Sequence, residues 1–346
     1  MNRRSLLLAS GALALAPRLA GAQGAQITGA GATFPAPVYA KWGEAAKAGA
    51  GIQLNYQAIG SGGGQNQIFN RTVDFGASDA PVTADKLAEQ QLLQFPSVMG
   101  ANVAIVNIPG IGDDELKLTG ELLADIYLGK ITKWNDPRLV AINAGLTLPN
   151  LAIAPAYRAD GSGTTYIWTS YLSAVSPEWK EKVGAGTSVK WPTGSGARGN
   201  DGVAGTVRNV RGAIGYVENA FASQNKLSTT QIRNKAGHYV KPTIPAFQAA
   251  AANADWNVPN FAANLIDTHG DTSWPIVSPT FILLPKDPKD DERALNVLKF
   301  FDWAYTHGDA LAAELEYVPL PASVKALIRA AWKAEIKTDA GQPIWR

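Results

Sequence analysis

AQITGAGATFPAPVYAKWGEAAKAGAGIQLNYQAIGSGGGQ, residues 25–65, is the stretch that decides the architecture. Ala25–Thr28 reads as a short strand followed by a glycine-rich turn, after which Val38, Trp42 and Ala46 recur at helical spacing. Ile52, Leu54, Tyr56 and Ala58 then alternate at period two, as a half-buried strand does, before Gly60-Ser61-Gly62-Gly63-Gly64. A strand, a helix and a strand joined by glycine-rich turns predict an α/β fold.

The pattern continues outward from that unit. Val73–Ala77 reads as a strand, Thr83 as the N-cap of a helix through Leu87, and Met99–Ile108 as a strand buried on both faces. A second block holds a helix near Glu121–Leu128, a strand at Leu151–Ala156, a helix through Trp168 and Tyr171, and a strand at Ala213–Glu218. Pro275–Pro285 is again strand-like, and helices at Arg293–Tyr305 and Ala322–Ile336 follow.

Upstream lies a targeting segment. Arg3 and Arg4 form a basic head, Ser5–Ala16 an apolar run, and Ala20-Gly21-Ala22 a small-residue cleavage site. The run falls short of the roughly 20 residues a membrane span needs. Paired arginines fit either the general secretory (Sec) or the twin-arginine (Tat) route, both leading to the periplasm. Removing 22 of 346 residues leaves 324. That exceeds the roughly 250–300 residues at which a single core stops growing, so two domains are expected.

Composition excludes several functions. Without cysteine there is no disulfide, thiol nucleophile, thiolate metal site or lipid-modified N-terminal cysteine. The 31 basic residues less Arg3, Arg4 and Arg18 leave 28 against 29 acidic ones. Such a near-neutral chain lacks the basic field that nucleic-acid binding requires, so an anion must be held by local geometry. His238, His269 and His307 have no ligand-like spacing, and neither a metal nor a cofactor is expected. No nucleophile elbow, zincin pair or P-loop occurs, so no catalytic residue is expected.

Three segments share one design, a small-residue turn with a hydroxyl between a strand and a helix start. They are Thr28–Pro35, Gly60–Gly64 and Arg158–Thr165. Free N–H groups and the helix dipole favour an anion there, and glycine lets the ligand approach the backbone. One such turn is ordinarily just an N-cap; three with an arginine point to an anion site. Arg158 is either a planar fork for an oxyanion, oriented by Asp160, or half of a surface ion pair. Asp79 is either a turn-initiating aspartate before Ala80-Pro81 or an acceptor for a proton carried by the anion. In the second case protonated phosphate is taken and fully ionised sulfate rejected. Gly194–Gly202, with Arg198 and Asp201, either lines a cleft or is a solvent loop before a helix.

Nine blocks in order carry a resemblance: TGAGATFPAPVYAKW (28–42), IGSGGGQ (59–65), VDFGASDAPV (73–82), IYLGKITKWND (126–136), RADGSGTT (158–165), VKWPTGSG (189–196), GNDGVAG (199–205), GAIGYVE (212–218) and VLKFFDWAY (297–305). Across nearly all the mature chain, the sequence closely resembles the periplasmic phosphate-binding proteins of high-affinity phosphate ABC uptake systems. The resemblance implies a two-lobed periplasmic-binding-protein clamshell of type II, each lobe a mixed sheet flanked by helices. One lobe would hold residues 23–101 and 276–346, the other 102–275. It implies a monomeric, non-enzymatic protein that binds inorganic phosphate and hands it to the membrane permease subunits of the transporter. On matching positions it implies phosphate contacts from Thr33, the Phe34 N–H, Ser61 and Asp79 in one lobe. Arg158, Asp160, Ser162, Gly163 and Thr164 would supply the rest from the other. Gly62 departs from relatives that carry serine there, which bears on the stiffness of the loop. Two other readings stay open on the residues alone. A phosphoester hydrolase sharing the anion pocket lacks an evident nucleophile–base pair, and another oxyanion, such as molybdate, remains an alternative ligand.

Overall fold

The computed structural model describes residues 25–346; the expected signal segment, residues 1–22, lies outside them. Strands β1 (Ala25–Gly31), β2 (Ile52–Ala58), β3 (Phe75–Ser78), β4 (Leu92–Val106), β5 (Lys117–Leu118) and β6 (Ala154–Arg158) come first. Then follow β7 (Ser195–Ala197), β8 (Ala213–Glu218), β9 (Ser228–Thr229), β10 (Gln231–Arg233), β11 (Tyr239–Val240) and β12 (Val277–Pro285). Nine of them form one mixed sheet in the order β2-β1-β3-β12-β4-β8-β6-β7, with β9 also on β4.

The sheet has two halves because β4 changes partner. Its 15 residues are all buried. It pairs antiparallel with β12 as far as Ala101 opposite Val277, and from Asn102, opposite Glu218, it pairs with β8. The return crossing runs alongside, where the Asn102 N–H donates to the Ile276 carbonyl at 2.8 Å. Each half has its own aromatic packing. Phe301 of helix Asp291–His307 meets Phe75 at 5.2 Å and Phe95 at 5.8 Å, edge to face. In the other half Trp168 stacks on Tyr216 at 5.1 Å. Among the described residues, no helix is long and apolar enough to cross a membrane.

Strands β2 and β8 occupy the expected residues, while others differ for local reasons. β4 begins at Leu92, ahead of the expected Met99, because Gln94, Pro96 and Ser97 interrupt the apolar pattern without interrupting the strand. Pro96 has no N–H to offer the ladder. The register shifts there, with Phe281 opposite Pro96 and Thr280 opposite Val98, so that Ser97 has no partner of its own. Such a bulge re-aims side chains, and it lies opposite Thr280. The strand expected at Leu151–Ala156 runs instead over Ala154–Arg158. Residues before it are drawn off by Trp134, whose N–H donates to the Leu151 carbonyl at 2.9 Å, and by Thr132, whose carbonyl accepts from Ile153 at 2.9 Å. The strand expected at Val73–Ala77 is Phe75–Ser78, since Asp74 leaves the ladder to accept the Thr28 N–H at 2.7 Å.

Gly62, Gly63 and Gly64 are not a turn, as expected, but the first turn of helix Ser61–Phe69. Close approach explains the residue type. A Cβ on Gly64 would lie 2.4 Å from Gly31 Cα and 2.6 Å from the Ala30 carbonyl oxygen, both backbone. Gly64→Ala is therefore expected to destabilise the protein by about 1–3 kcal/mol, the usual cost of overpacking, measured by urea unfolding. A gain in stability, the ordinary effect of alanine in an open helix, would contradict this packing.

Candidate functional site

The three glycine-rich segments converge, although Thr28–Gly31 continue strand β1 and Gly62–Gly64 open a helix where turns were expected. β1 delivers Thr33 and Phe34 to the start of helix Ala36–Ala50, β2 delivers Ser61, and β3 delivers Asp79. From the other half, β6 ends on Arg158, and Ser162 caps helix Gly163–Val175, which opens with Gly163 and Thr164. The halves touch directly at this point. Gly62 N–H donates to the Gly161 carbonyl at 2.9 Å. A Cβ on Gly163 would sit 2.3 Å from both Asp79 Oδ2 and Ser61 Oγ, so any larger residue there would hold the halves apart. All nine residues anticipated from sequence thus lie around one cleft.

Hydrogen-bond accounting shows how the cleft is polarised. A hydroxyl has one proton to give and lone pairs to receive. Thr33 Oγ1 accepts from Asn200 Nδ2 at 3.1 Å, and Ser61 Oγ accepts from the Asp79 N–H at 3.1 Å. Ser162 Oγ accepts from the Thr165 N–H at 3.0 Å, and Thr164 Oγ1 from Arg158 Nη1 at 3.2 Å. Every one of these hydroxyls is supplied with a donor by the protein, which leaves its own proton for another acceptor; Ser61 turns its proton over a long 3.5 Å contact toward Asp79 Oδ2, and the other three keep theirs for a ligand. First-turn N–H groups of helix Gly163–Val175 add donors that have no intrahelical partner. The cleft is built to donate.

Arg158 supplies the fixed positive charge. Only 3% of it is exposed. Its Nε donates to Asp160 Oδ1 at 2.7 Å and its Nη2 to Asp160 Oδ2 at 2.5 Å, while Nη1 reaches Thr164. Of five guanidinium protons, two remain for a ligand. The Arg158–Asp160 pair is thus part of the buried cleft and not a surface ion pair. Burial pushes the Asp160 carboxyl up, but the hydrogen bonds and charge of Arg158, with the Gly199 N–H, outweigh it and hold the group below its usual range.

Asp79 faces this array as its one prominent acceptor. It is 1% exposed, and its Oδ1 accepts from Thr280 Oγ1 at 2.6 Å. Oδ2 has only a long 3.5 Å contact from Ser61 Oγ. Burial pushes the carboxyl up to about 7, opposed by the Thr280 hydrogen bond, the charge of Arg158 and the Ser61 hydroxyl. A carboxylate among donors for an anion is tolerable only if a proton lies between carboxylate and anion. Oδ2 is the atom free to receive it.

Sequence reasoning missed three contributors. Thr280, which orients Asp79, sits inside an apolar strand with no local signal. Tyr216, whose hydroxyl accepts the Arg158 N–H at 3.1 Å, reads as core. Asn200 is fully buried and belongs to the GNDGVAG block, so that block was its signal. Gly194–Gly202 divides between the two readings given above: Gly199 N–H donates to Asp160 Oδ1 at 3.1 Å and Asn200 meets Thr33, while Arg198 is exposed.

The chain is similar to known proteins. A family model described as the PBP superfamily domain matches residues 17–307. The chain is 50% identical over 347 residues to the phosphate-binding protein PstS of Pasteurella multocida (strain Pm70), with 100% of each covered. It is 51% identical over 317 residues to the protein of the same name from Haemophilus influenzae, covering 91% of this chain and 95% of that one. Among solved structures, a phosphate-binding protein from Stenotrophomonas maltophilia aligns with a TM-score of 0.69 at 20% identity, covering 88% of this chain and 93% of that one.

The Asp79 geometry makes a prediction for the ligand-free protein. A carboxyl raised to about 7 holds a proton the unfolded chain has released. Its contribution to stability is full below about pH 4 and is lost as pH rises through about 7. Relative to wild type, Asp79→Asn is expected to gain about 2–3 kcal/mol between about pH 5 and pH 8 in urea titrations. A difference independent of pH would contradict the raised carboxyl.

Proposed function

This chain belongs to the PBP superfamily, with the two-lobed type II fold of its periplasmic binding proteins, and we propose that its cleft takes protonated phosphate through the donors and the acceptor described above. It is the phosphate-binding component of an ABC importer, a transport protein and not an enzyme. In our reading Thr33, the Phe34 N–H, Ser61 and Asp79 hold the anion from one lobe, and Arg158, Ser162, Gly163 and Thr164 from the other, with Asp160 fixing the guanidinium. The lobes we assign are 23–101 with 276–346, and 102–275. The exchange of β12 for β8 along β4 at Ala101/Asn102 supports that division. We further propose export to the periplasm by the Sec or Tat route and action as a monomer that docks, when closed, on the permease subunits.

The observation that carries the ligand is the presence of Asp79 Oδ2, held only by a long contact from Ser61, among hydroxyls and a guanidinium set to donate. Phosphate near neutral pH keeps an O–H to give to that oxygen, whereas sulfate has none. Closure follows from the same contacts, because the Gly62–Gly161 and Asn200–Thr33 bonds join the lobes only when the cleft is shut.

Tryptophan fluorescence titration tests this. Phosphate and arsenate are expected to bind tightly and sulfate negligibly near neutral pH; equal competition by sulfate would overturn the reading. Asp79→Asn is expected to narrow the gap between phosphate and sulfate, since an amide can donate to either. Arg158→Lys, which loses the planar fork, is expected to weaken phosphate by at least about 100-fold, the worth of roughly two charge-assisted bonds.

A further inference from the structure

Beyond the cleft, a second buried carboxyl remains unexplained. Glu218 ends β8 directly opposite Asn102, at the residue where β4 passes between lobes. It is fully buried, as are Tyr317 and Phe34, and it is the only buried glutamate among the described residues. Tyr317 is fixed beside β4, since Val318 and Met99 exchange both backbone hydrogen bonds, at 2.9 and 3.0 Å. Its hydroxyl lies 2.6 Å from the Phe34 carbonyl oxygen and 2.9 Å from Glu218 Oε2.

These two contacts require two hydrogens, and Tyr317 has one. The Phe34 carbonyl can only accept. At 2.6 Å two oxygens without a hydrogen between them repel, so the Tyr317 proton belongs to Phe34. The remaining contact then needs a proton from Glu218. Its surroundings agree. The Ala220 N–H, at 2.9 Å, is the other partner of Oε2, and Oε1 has none. The titratable groups facing it are Tyr317 and Glu316, the latter anchored by Asn219, with Asp79 and Tyr39 behind Tyr317. None of these is a cation. Burial, reinforced by Glu316 and opposed by the Tyr317 and backbone hydrogen bonds, pushes the carboxyl well above its ordinary range.

We propose that Glu218 is a neutral carboxylic acid that donates to Tyr317, and that this cross-lobe pair fixes the Phe34–Pro35 peptide, and through Phe34 the preceding N–H that faces the bound phosphate. Glu218 and Tyr317 are positioning residues. The chain Glu218–Tyr317–Phe34 ties the closed lobes together behind the ligand, and ionisation of Glu218 breaks it. The positioning role rests on the phosphate reading above; the protonation of Glu218 does not.

Infrared spectroscopy of the ligand-free protein labelled with carboxyl-13C glutamate tests the proton first. Near pH 8 exposed glutamates are ionised and Asp79 carries no label. An isotope-shifted band of a protonated carboxylic acid is expected in wild type and absent in Glu218→Gln; no such band in wild type overturns the proposal without reference to any variant. Phosphate titration tests the role. Tyr317→Phe keeps the ring and loses the hydroxyl, and is expected to weaken phosphate about tenfold. Glu218→Gln retains a donor and is expected to stay within about threefold of wild type. As pH rises through the loss of the infrared band, wild type is expected to weaken relative to Glu218→Gln. Wild-type affinity in Tyr317→Phe, or parallel pH profiles, would leave Glu218 protonated but overturn positioning. Failure of wild type to bind phosphate at all would count against the ligand and leave the infrared result to decide the proton.

Discussion

A hydroxyl offers one proton, and what the protein does with its lone pairs decides where that proton can go. Around this cleft Asn200, Arg158 and the N–H groups of Asp79 and Thr165 each donate to a hydroxyl, on Thr33, Thr164, Ser61 and Ser162 respectively. The donors come from the backbone, from a helix turn, from a buried guanidinium and from the opposite lobe. Each spends a contact of ordinary length on turning a neutral group into a directed donor. Neutral donors avoid the desolvation cost that a ring of lysines would incur, which suits a near-neutral chain. On the proposed reading, the remaining structure serves to bring these donors within reach of one anion.

On the reading proposed above, selectivity comes from the exception. Asp79 is out of place among donors, and its surroundings dispose of only one of its oxygens: Thr280 takes Oδ1, and Oδ2 faces the cleft. The register shift opposite Pro96 and Ser97 falls at Thr280, so an irregularity in the sheet lies where the selective carboxyl is oriented. Glu218 obeys related logic at a distance. There too a buried carboxyl meets a hydroxyl, one whose proton is claimed by a carbonyl, and the number of available hydrogens decides the carboxyl's charge.

Much of this was legible in the sequence where a local rule governs. The helix Ala36–Ala50 and the strands Ile52–Ala58 and Ala213–Glu218 follow from apolar period alone, whereas β1 runs on through Gly29–Gly31, where a turn was expected. The site residues share a recognisable design because small residues and hydroxyls are needed wherever backbone N–H groups approach an anion. What stayed hidden depends on partners distant in sequence. Thr280 is 201 positions from Asp79, and Asn200 is 167 from Thr33. Leu92–Val98 falls outside the strand expected from Met99 because Gln94, Pro96 and Ser97 are polar or ring-locked, yet Gln94 is fully buried and its side chain accepts the Val82 N–H at 2.8 Å. Gly62–Gly64 spells a turn in sequence but forms a helix, because the glycines there permit close approach and not reversal of the chain.

In the proposed reading, two lobes aim a row of protons at one anion, and a single proton lies between that anion and Asp79 Oδ2. Neutron diffraction from the deuterated protein crystallised with phosphate examines that directly. The account predicts a deuteron between Asp79 Oδ2 and a ligand oxygen, with the hydroxyl deuterons of Thr33, Ser61, Ser162 and Thr164 turned toward the anion. A ligand oxygen beside Asp79 with no deuteron between them, or hydroxyl deuterons turned back into the protein, would contradict it.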